Sequence, residues 1–369
     1  MPDESIQKRR ICFVTGTRAE YGLMCSTLSA IAQEPTLALQ MVVTGTHLSA
    51  AHGMTIKQIR RDGWHVDARV AWRGRTTGEC TGLAIGAMSR VFERMRPDVV
   101  LVTGDRPEAF AGATAAHLNG ICVAHVHGGD RALGQVDDAL RHAISRLAHV
   151  HFPATKQSRD RLYAGGEDAW RLHRVGTPGL DDLPMTRVPK SGAIVIYHPE
   201  SADEEVEYEH AMMLVRAVEK RSSNHPAIFI RPNNDPGWRG VARACDEAAA
   251  RGHRVYRDLP RVEYLERLAA AGVLVGNSSS GIIEAASVGT FVVNVGRRQL
   301  GRERSTNITD VGWREASIVR AIRSVMPDGI GKRFSGANVY GKPGAGRRIA
   351  RVLADVKLDT KLMRKLIRY

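Results

Sequence analysis

Between Ile121 and Phe152 the chain reads ICVAHVHGGDRALGQVDDALRHAISRLAHVHF, which sets His127 close to the carboxylates of Asp130, Asp137 and Asp138. Groups of this kind move protons: burial and neighbours set their proton affinities apart, so that one can accept a proton while another donates. Asp105, in VTGDR, adds a further carboxylate, and His198, in HPES, adds an imidazole able to donate to a leaving diphosphate or to act as an acid. Each has an ordinary explanation. Asp105 can be a turn residue paired with Arg106, and Asp137 or Asp138 can cap a helix. Together on neighbouring turns they point to acid–base chemistry, with Asp105, Asp130 and either Asp137 or Asp138 as its carriers.

A second set suits an anion. In GNSSSGIIEAAS, Asn277, Ser278, Ser279, Ser280 and Gly281 open a predicted helix over Gly281–Val288. Free N–H groups and small side chains at such a start suit a phosphate, and Glu284, one turn on, can accept from a ribose diol. Arg18, in GTRAEYG, stands at another predicted helix start, where a guanidinium can grip a diphosphate through two parallel hydrogen bonds. Arg302 and Arg304, in GRERS, add cations. No GKT or GKS follows the serines, and no GxGxxG is present, which argues against a Walker loop and against a nicotinamide or flavin cofactor. No His, Cys or Asp set has zinc spacing and no calcium loop occurs, so neither metal nor cofactor is expected.

The elements that must position these residues alternate between strand and helix through both halves. Strands are predicted at Ile11–Thr15, Leu39–Val43, Val99–Val102, Ile121–Val126 and near His149–Phe152. A second run is predicted at Ala193–Tyr197, Ala227–Arg231, Arg254–Tyr256, Val273–Gly276 and Phe291–Val295. Such alternation builds parallel sheets covered by helices on both faces. The polar, glycine-rich turns that carry most of these residues follow strands and gather on one side of both sheets, the side on which open α/β sheets bind ligands. The fold class expected is therefore α/β, with two Rossmann-like domains whose parallel sheets face a central cleft. The boundaries are 1–180 for the domain carrying the acid–base carboxylates and 181–344 for the nucleotide-binding domain. A single basic helix, near Ala345 to Ile367 within 345–369, closes the chain.

Composition narrows the class. A chain of 369 residues is long for one core. No apolar run is long enough for a bilayer, and MPDESIQKRR has no apolar leader core. The five cysteines are scattered, as in a reducing compartment. A cytoplasmic location with no membrane partner is expected. The formal charge of +14 raises a nucleic-acid reading, but no recognition signature accompanies it, so the charge speaks to solubility and steering of anions.

VTGTRAEYGL, VTGDR, HVHGGD with DDALRHAISRLAHVHF, VGTPGLDDL, HPES, RPNNDPGWRG, VGNSSSGIIEA and NVGRRQLGRER together resemble the UDP-N-acetylglucosamine 2-epimerases, in particular the hydrolysing branch that releases N-acetylmannosamine. The resemblance runs through nearly the whole chain. It implies a GT-B fold whose C-terminal helix, within 345–369, packs back on the first domain, a UDP-sugar substrate, anti elimination of UDP to a glycal, addition of water, and no metal or redox cofactor. It implies that Arg18 contacts the diphosphate, that Asp105, Asp130 and Asp137 are the acid–base carboxylates, that His198 assists the leaving group, and that Ser278, Ser279, Ser280 and Glu284 hold phosphate and ribose. By analogy it implies a homodimer. The family usually shows HGGE where this chain has His127-Gly128-Gly129-Asp130. Aspartate is one methylene shorter, which points to a modified sugar or a different order of proton transfers. A glycosyltransferase of the same fold is the alternative to epimerisation, and a basic nucleic-acid-binding protein is the alternative from another class.

Overall fold

The computed structural model describes residues 8–50, 53–131, 137–184, 187–220, 226–232, 235–257 and 259–366. The chain divides into two compact units. The first takes the chain up to Asp181 and again from Tyr340 onward, and the second takes Asp182–Val339.

The first unit runs β1 (Arg9–Thr15), α1 (Arg18–Gln33), β2 (Leu37–Val43), α2 (Ile56–Arg61), β3 (Ala68–Arg69), α3 (Thr77–Met95), β4 (Val99–Thr103), α4 (Pro107–Leu118), β5 (Cys122–Val126), α5 (Asp137–Leu147), β6 (Val150–Phe152) and α6 (Lys156–Ala164). Its strands pair in the order β3-β2-β1-β4-β5-β6, all parallel. Alternate residues of β1 explain why both faces are dry. Ile11 and Phe13 pack with Met24, Leu28 and Ile31 of α1, while Cys12 and Val14 pack with Met88 and Phe92 of α3 and Ala109 and Ala113 of α4. Strands buried on both faces read as continuous apolar runs, which is how β4 and β5 were legible.

The second unit runs β7 (Ser191–Ile196), α7 (Glu204–Glu219), β8 (Ile228–Ile230), α8 (Trp238–Ala250), β9 (Arg254–Tyr256), α9 (Arg261–Ala270), β10 (Ala271–Gly276), α10 (Ser279–Ile283), β11 (Phe291–Val295), β12 (Ile308–Val311) and α11 (Glu315–Val325). Its order, β12-β11-β10-β7-β8-β9, is the same winding as the first sheet, again all parallel. Both are doubly wound Rossmann-like sheets. Their order reverses beside β1 and β4 in one and beside β7 and β10 in the other, and such switch points open ligand crevices.

Back in the first unit, α12 (Ala345–Asp355) and α13 (Thr360–Met363) complete the described chain. The Asp181 carboxylate accepts from the amides of Gly344, Ala345 and Gly346 at the start of α12, at 2.6–2.9 Å. Arg9 donates to the carbonyls of Leu353 and Ala354 at its other end.

Three expectations are corrected. The single helix near Ala345 to Ile367 is two: Val356 is extended, Val356 and Leu358 pack on the core, and Asp359 caps the second piece through the Leu362 amide at 2.8 Å. The helix read at Gly281–Val288 starts earlier, at Ser279, and ends at Ile283, after which the chain turns toward β11. The strands β3 and β12 escaped the sequence reading. The first has two residues and the second, ITDV, is half exposed, so neither edge strand shows an apolar run.

Candidate active site

At the switch point of the first unit, the turn after β4 carries Gly104 and Asp105, and the turn after β5 carries His127 to Asp130. Arg141 of α5, buried, ties them together. One terminal nitrogen donates to the His127 carbonyl at 3.1 Å, the other pairs with the Asp105 carboxylate, and Nε lies 4.0 Å from Asp138. Arg141 was not singled out in the sequence. Its signal was the spacing: three residues after Asp138, and three before the buried Ile144, it shares their helix face. Asp105 is one-fifth exposed, so its carboxylate is accessible as well as paired. Asp138 is comparably open and also lies 3.6 Å from His142. Asp137 opens α5, but its side chain lies outside the described residues.

Asp130 has a partner on each carboxylate oxygen. Oδ2 pairs with His127 Nδ1 at 2.8 Å, and Oδ1 accepts from Ser158 Oγ at 2.6 Å. Burial pushes its proton affinity up, but His127, Arg141 and Ser158 outweigh that and hold the carboxyl well below the usual range. His127 Nε2 lies 2.9 Å from Thr177 Oγ1, which accepts the Gly179 amide. A carboxylate can only accept, so His127 Nδ1 is the donor toward Asp130. His127 has φ +64, a left-handed conformation that costs a branched-free but bulky side chain and persists only where surroundings impose it. Gly129, two residues on, must be glycine: φ is +76, and a Cβ would lie 2.2 Å from the Ser158 carbonyl. His125, fully buried, bonds Ser145 Oγ and the Gly104 carbonyl, and burial drops its pKa to about 3; it is a neutral core residue.

Arg18 begins α1 and is exposed. Glu20, on the same first turn, closes a capping box with Thr17 and accepts from the Gly16 and Thr17 amides at 2.9 and 3.0 Å. Burial, then the nearby Glu108 carboxylate, pushes Glu20 up to about 8.

The switch point of the second unit gathers the other set. The Asn277 amide spans the turn after β7, accepting from the His198 amide and donating to the His198 carbonyl, each at 2.8 Å. Asn277 thus fixes the backbone of His198. Ser278 caps α10 through the Ser280 amide, and Tyr264 of α9 donates to Ser280 Oγ. Gly281 is a packing glycine, since a Cβ there would stand 2.9 Å from Val292 Cγ1. Glu284 pairs with Arg261 at 3.4 Å, and burial raises its pKa in spite of that cation. Arg304 is occupied: it holds the Arg302 and Gln299 carbonyls at 2.9 Å and pairs with Asp310 of β12 at 3.0 Å. Arg302 is half-buried in the same loop. Residues missed in the sequence complete the set. Glu200 accepts from the amides of Arg297 and Arg298 at 2.7 and 2.6 Å, and the guanidinium of Arg298 lies 3.5 Å from Asp235. Among the described residues, no group of three or more His, Cys, Asp or Glu is placed to hold a metal ion.

Two doubly wound units, each with polar turns at its switch point, define an α/β protein of GT-B type. Comparison with known proteins narrows the class further. The chain belongs to the UDP-N-acetylglucosamine 2-epimerase family, whose profile matches residues 29–354. It is 35% identical to a hydrolysing UDP-N,N'-diacetylbacillosamine 2-epimerase of Legionella pneumophila, over 98% of this chain and 100% of the relative. It is 31% identical to a UDP-N-acetylglucosamine 2-epimerase of Neisseria meningitidis serogroup B, over 85% of this chain and 87% of the relative. Among solved structures, the UDP-GlcNAc 2-epimerase of Neisseria meningitidis bound to UDP-GlcNAc is similar in fold, with TM-score 0.77 at 18% identity over 93% of this chain and 99% of that one. A transferase or nucleic-acid-binding reading is not favoured by these findings.

Proposed function

We propose that the protein is a hydrolysing 2-epimerase of a UDP-linked 2-acetamido sugar. A base takes the proton from C2, the C1–O bond breaks, and UDP departs, leaving a glycal. Water then adds its hydroxyl at C1 and a proton returns to C2 from the other face, so that UDP-GlcNAc and water become ManNAc and UDP. The observation that carries the reading is the gathering of Asp105, the His127–Asp130 pair and Asp138 on one buried arginine at the switch point of the first unit. In this reading Asp105 and the carboxylates at the start of α5, Asp137 among them, exchange protons with the sugar. Asp130 holds His127 in place beside them. His198, Arg18, Ser278, Ser279, Ser280 and Arg302 meet the diphosphate, and Glu284 the ribose. A cytoplasmic location and a homodimer belong to the same reading.

A second sugar is favoured by a specific observation. The Legionella relative is named for UDP-N,N'-diacetylbacillosamine, and this chain has Asp130 in the HGGE position. The test is a panel of UDP- and GDP-linked 2-acetamido and 2,4-diacetamido sugars, scored by nucleotide release, with product NMR in heavy water. Deuterium at C2 of a free sugar is expected. Nucleotide release with no exchange at C2 would overturn the epimerase reading in favour of transfer or simple hydrolysis.

A further inference from the structure

We propose that Lys365 is a positioning residue for the acid–base cluster, acting through α5, whose carboxyl end it grips. Its Nζ donates to the carbonyls of Ser145, Arg146 and Ala148 at 2.9, 3.0 and 2.7 Å, and lies 2.8 Å from Glu167 Oε2. The first two of these belong to the last turn of α5 and the third follows it, where carbonyls lack helical partners and a cation suits the helix dipole. The grip is buried. Glu167 also pairs with Arg146 at 3.2 Å and His151 at 3.0 Å. Arg171, fully buried, fastens the preceding α13 by donating to the carbonyls of Lys361 and Leu362 at 3.0 and 2.8 Å, while it also reaches the His149 carbonyl at 3.1 Å.

From its carboxyl end α5 reaches the cluster by two routes. Arg141 bonds Asp105 and the His127 carbonyl. Ser145 Oγ lies 3.1 Å from His125 Nδ1, whose Nε2 meets the Gly104 carbonyl at 2.8 Å, one residue from Asp105. A helix released at one end shifts along its axis, and a shift of about 1 Å at reacting groups costs on the order of 10²-fold in rate. The inference rests on the proposed role of Asp105 and its neighbours.

The experiment compares wild type, Lys365→Met and Lys365→Arg in the full chain by steady-state nucleotide release and by hydrogen exchange of the peptides covering α5 and the turn at Gly104–Asp105. Lys365→Met is expected to lower kcat by at least about tenfold with KM within about twofold, and to speed exchange in both segments. Lys365→Arg is expected to recover most of kcat. Unchanged kcat and unchanged exchange in Lys365→Met would overturn the proposal. So would equal losses in the Met and Arg variants, which indicate a general packing defect. Should Lys365→Met fail to fold, Lys365→Gln takes its place, and normal turnover by that variant refutes the role. A wild type that releases no nucleotide from any sugar refutes the epimerase reading instead, and the exchange comparison then decides the grip alone.

Discussion

Arg141 is where the first unit's site is most sensitive. Lysine in its place brings a compact ammonium rather than a planar fork, so it loses the separate nitrogens that meet Asp105, the His127 carbonyl and Asp138 in one fixed geometry. Arg141→Lys is expected to lower kcat by about 10²-fold, read by nucleotide release, while UDP affinity measured by calorimetry stays within about twofold. Asp130 leads to a different expectation. Its oxygens sit 2.8 Å from His127 and 2.6 Å from Ser158, which leaves no room for another methylene. Asp130→Glu, although it restores the family's usual residue type, is expected to destabilise the first unit by about 1–3 kcal/mol. An unchanged melting temperature would refute that. Asp130→Asn removes the charge that holds the His127 ring and is expected to abolish product formation while UDP binding survives. At this scale the strand-end turns were legible because chemistry-bearing residues stood out in glycine-rich breaks. Arg141, Arg261, Tyr264 and Glu200 were not, because their partners are distant in sequence or lie on another element.

Helix starts and strand ends store their own pH dependence. Glu20 caps α1 while buried near Glu108, and its folded pKa of about 8 lies above the ordinary 4.5. The folded state thus keeps a proton that the unfolded chain has lost. That stability is complete below about pH 4.5 and disappears as pH rises through about 8. Glu20→Gln should remove this slope, so that between about pH 5 and pH 9 its melting temperature falls less than that of wild type; parallel curves would show that the carboxylate does not carry it. In α10 the test is steric. Gly281→Ala puts a methyl 2.9 Å from Val292, and is expected to cost about 1–3 kcal/mol in chemical denaturation. Element bounds follow the sequence where local signals are strong: α4 begins at Pro107 and stops before Asn119-Gly120, and α8 stops before Arg251-Gly252. They were missed where packing overrode the local pattern, as at Val356, drawn into the core out of a helical run.

For the molecule as a whole, the formal charge of +14 favours an anionic ligand. UDP at about a hundredfold over its Kd is expected to stabilise the protein by about 2.7 kcal/mol, seen as a rise in melting temperature, with GDP giving less; equal shifts would leave the base unread by the protein. No helix among the described residues is long and apolar enough to cross a membrane. By itself, the order of amino acids determined the two strand–helix arrays and the side of each sheet on which polar turns gather. Short-range forces set these: apolar runs that must be buried on both faces, and turn residues that end them. Only the tertiary structure decided which polar groups are spent and which stay open. Asp130 reads in the sequence as an acid–base group and Asn277 as a binding group, and the structure adds their partners: His127 and Ser158 for the one, the His198 backbone for the other. Lys365 meets α5 across some 220 residues of chain. No local pattern encodes such pairings, because a buried donor takes its acceptor from whichever segment the completed core brings within about 3 Å.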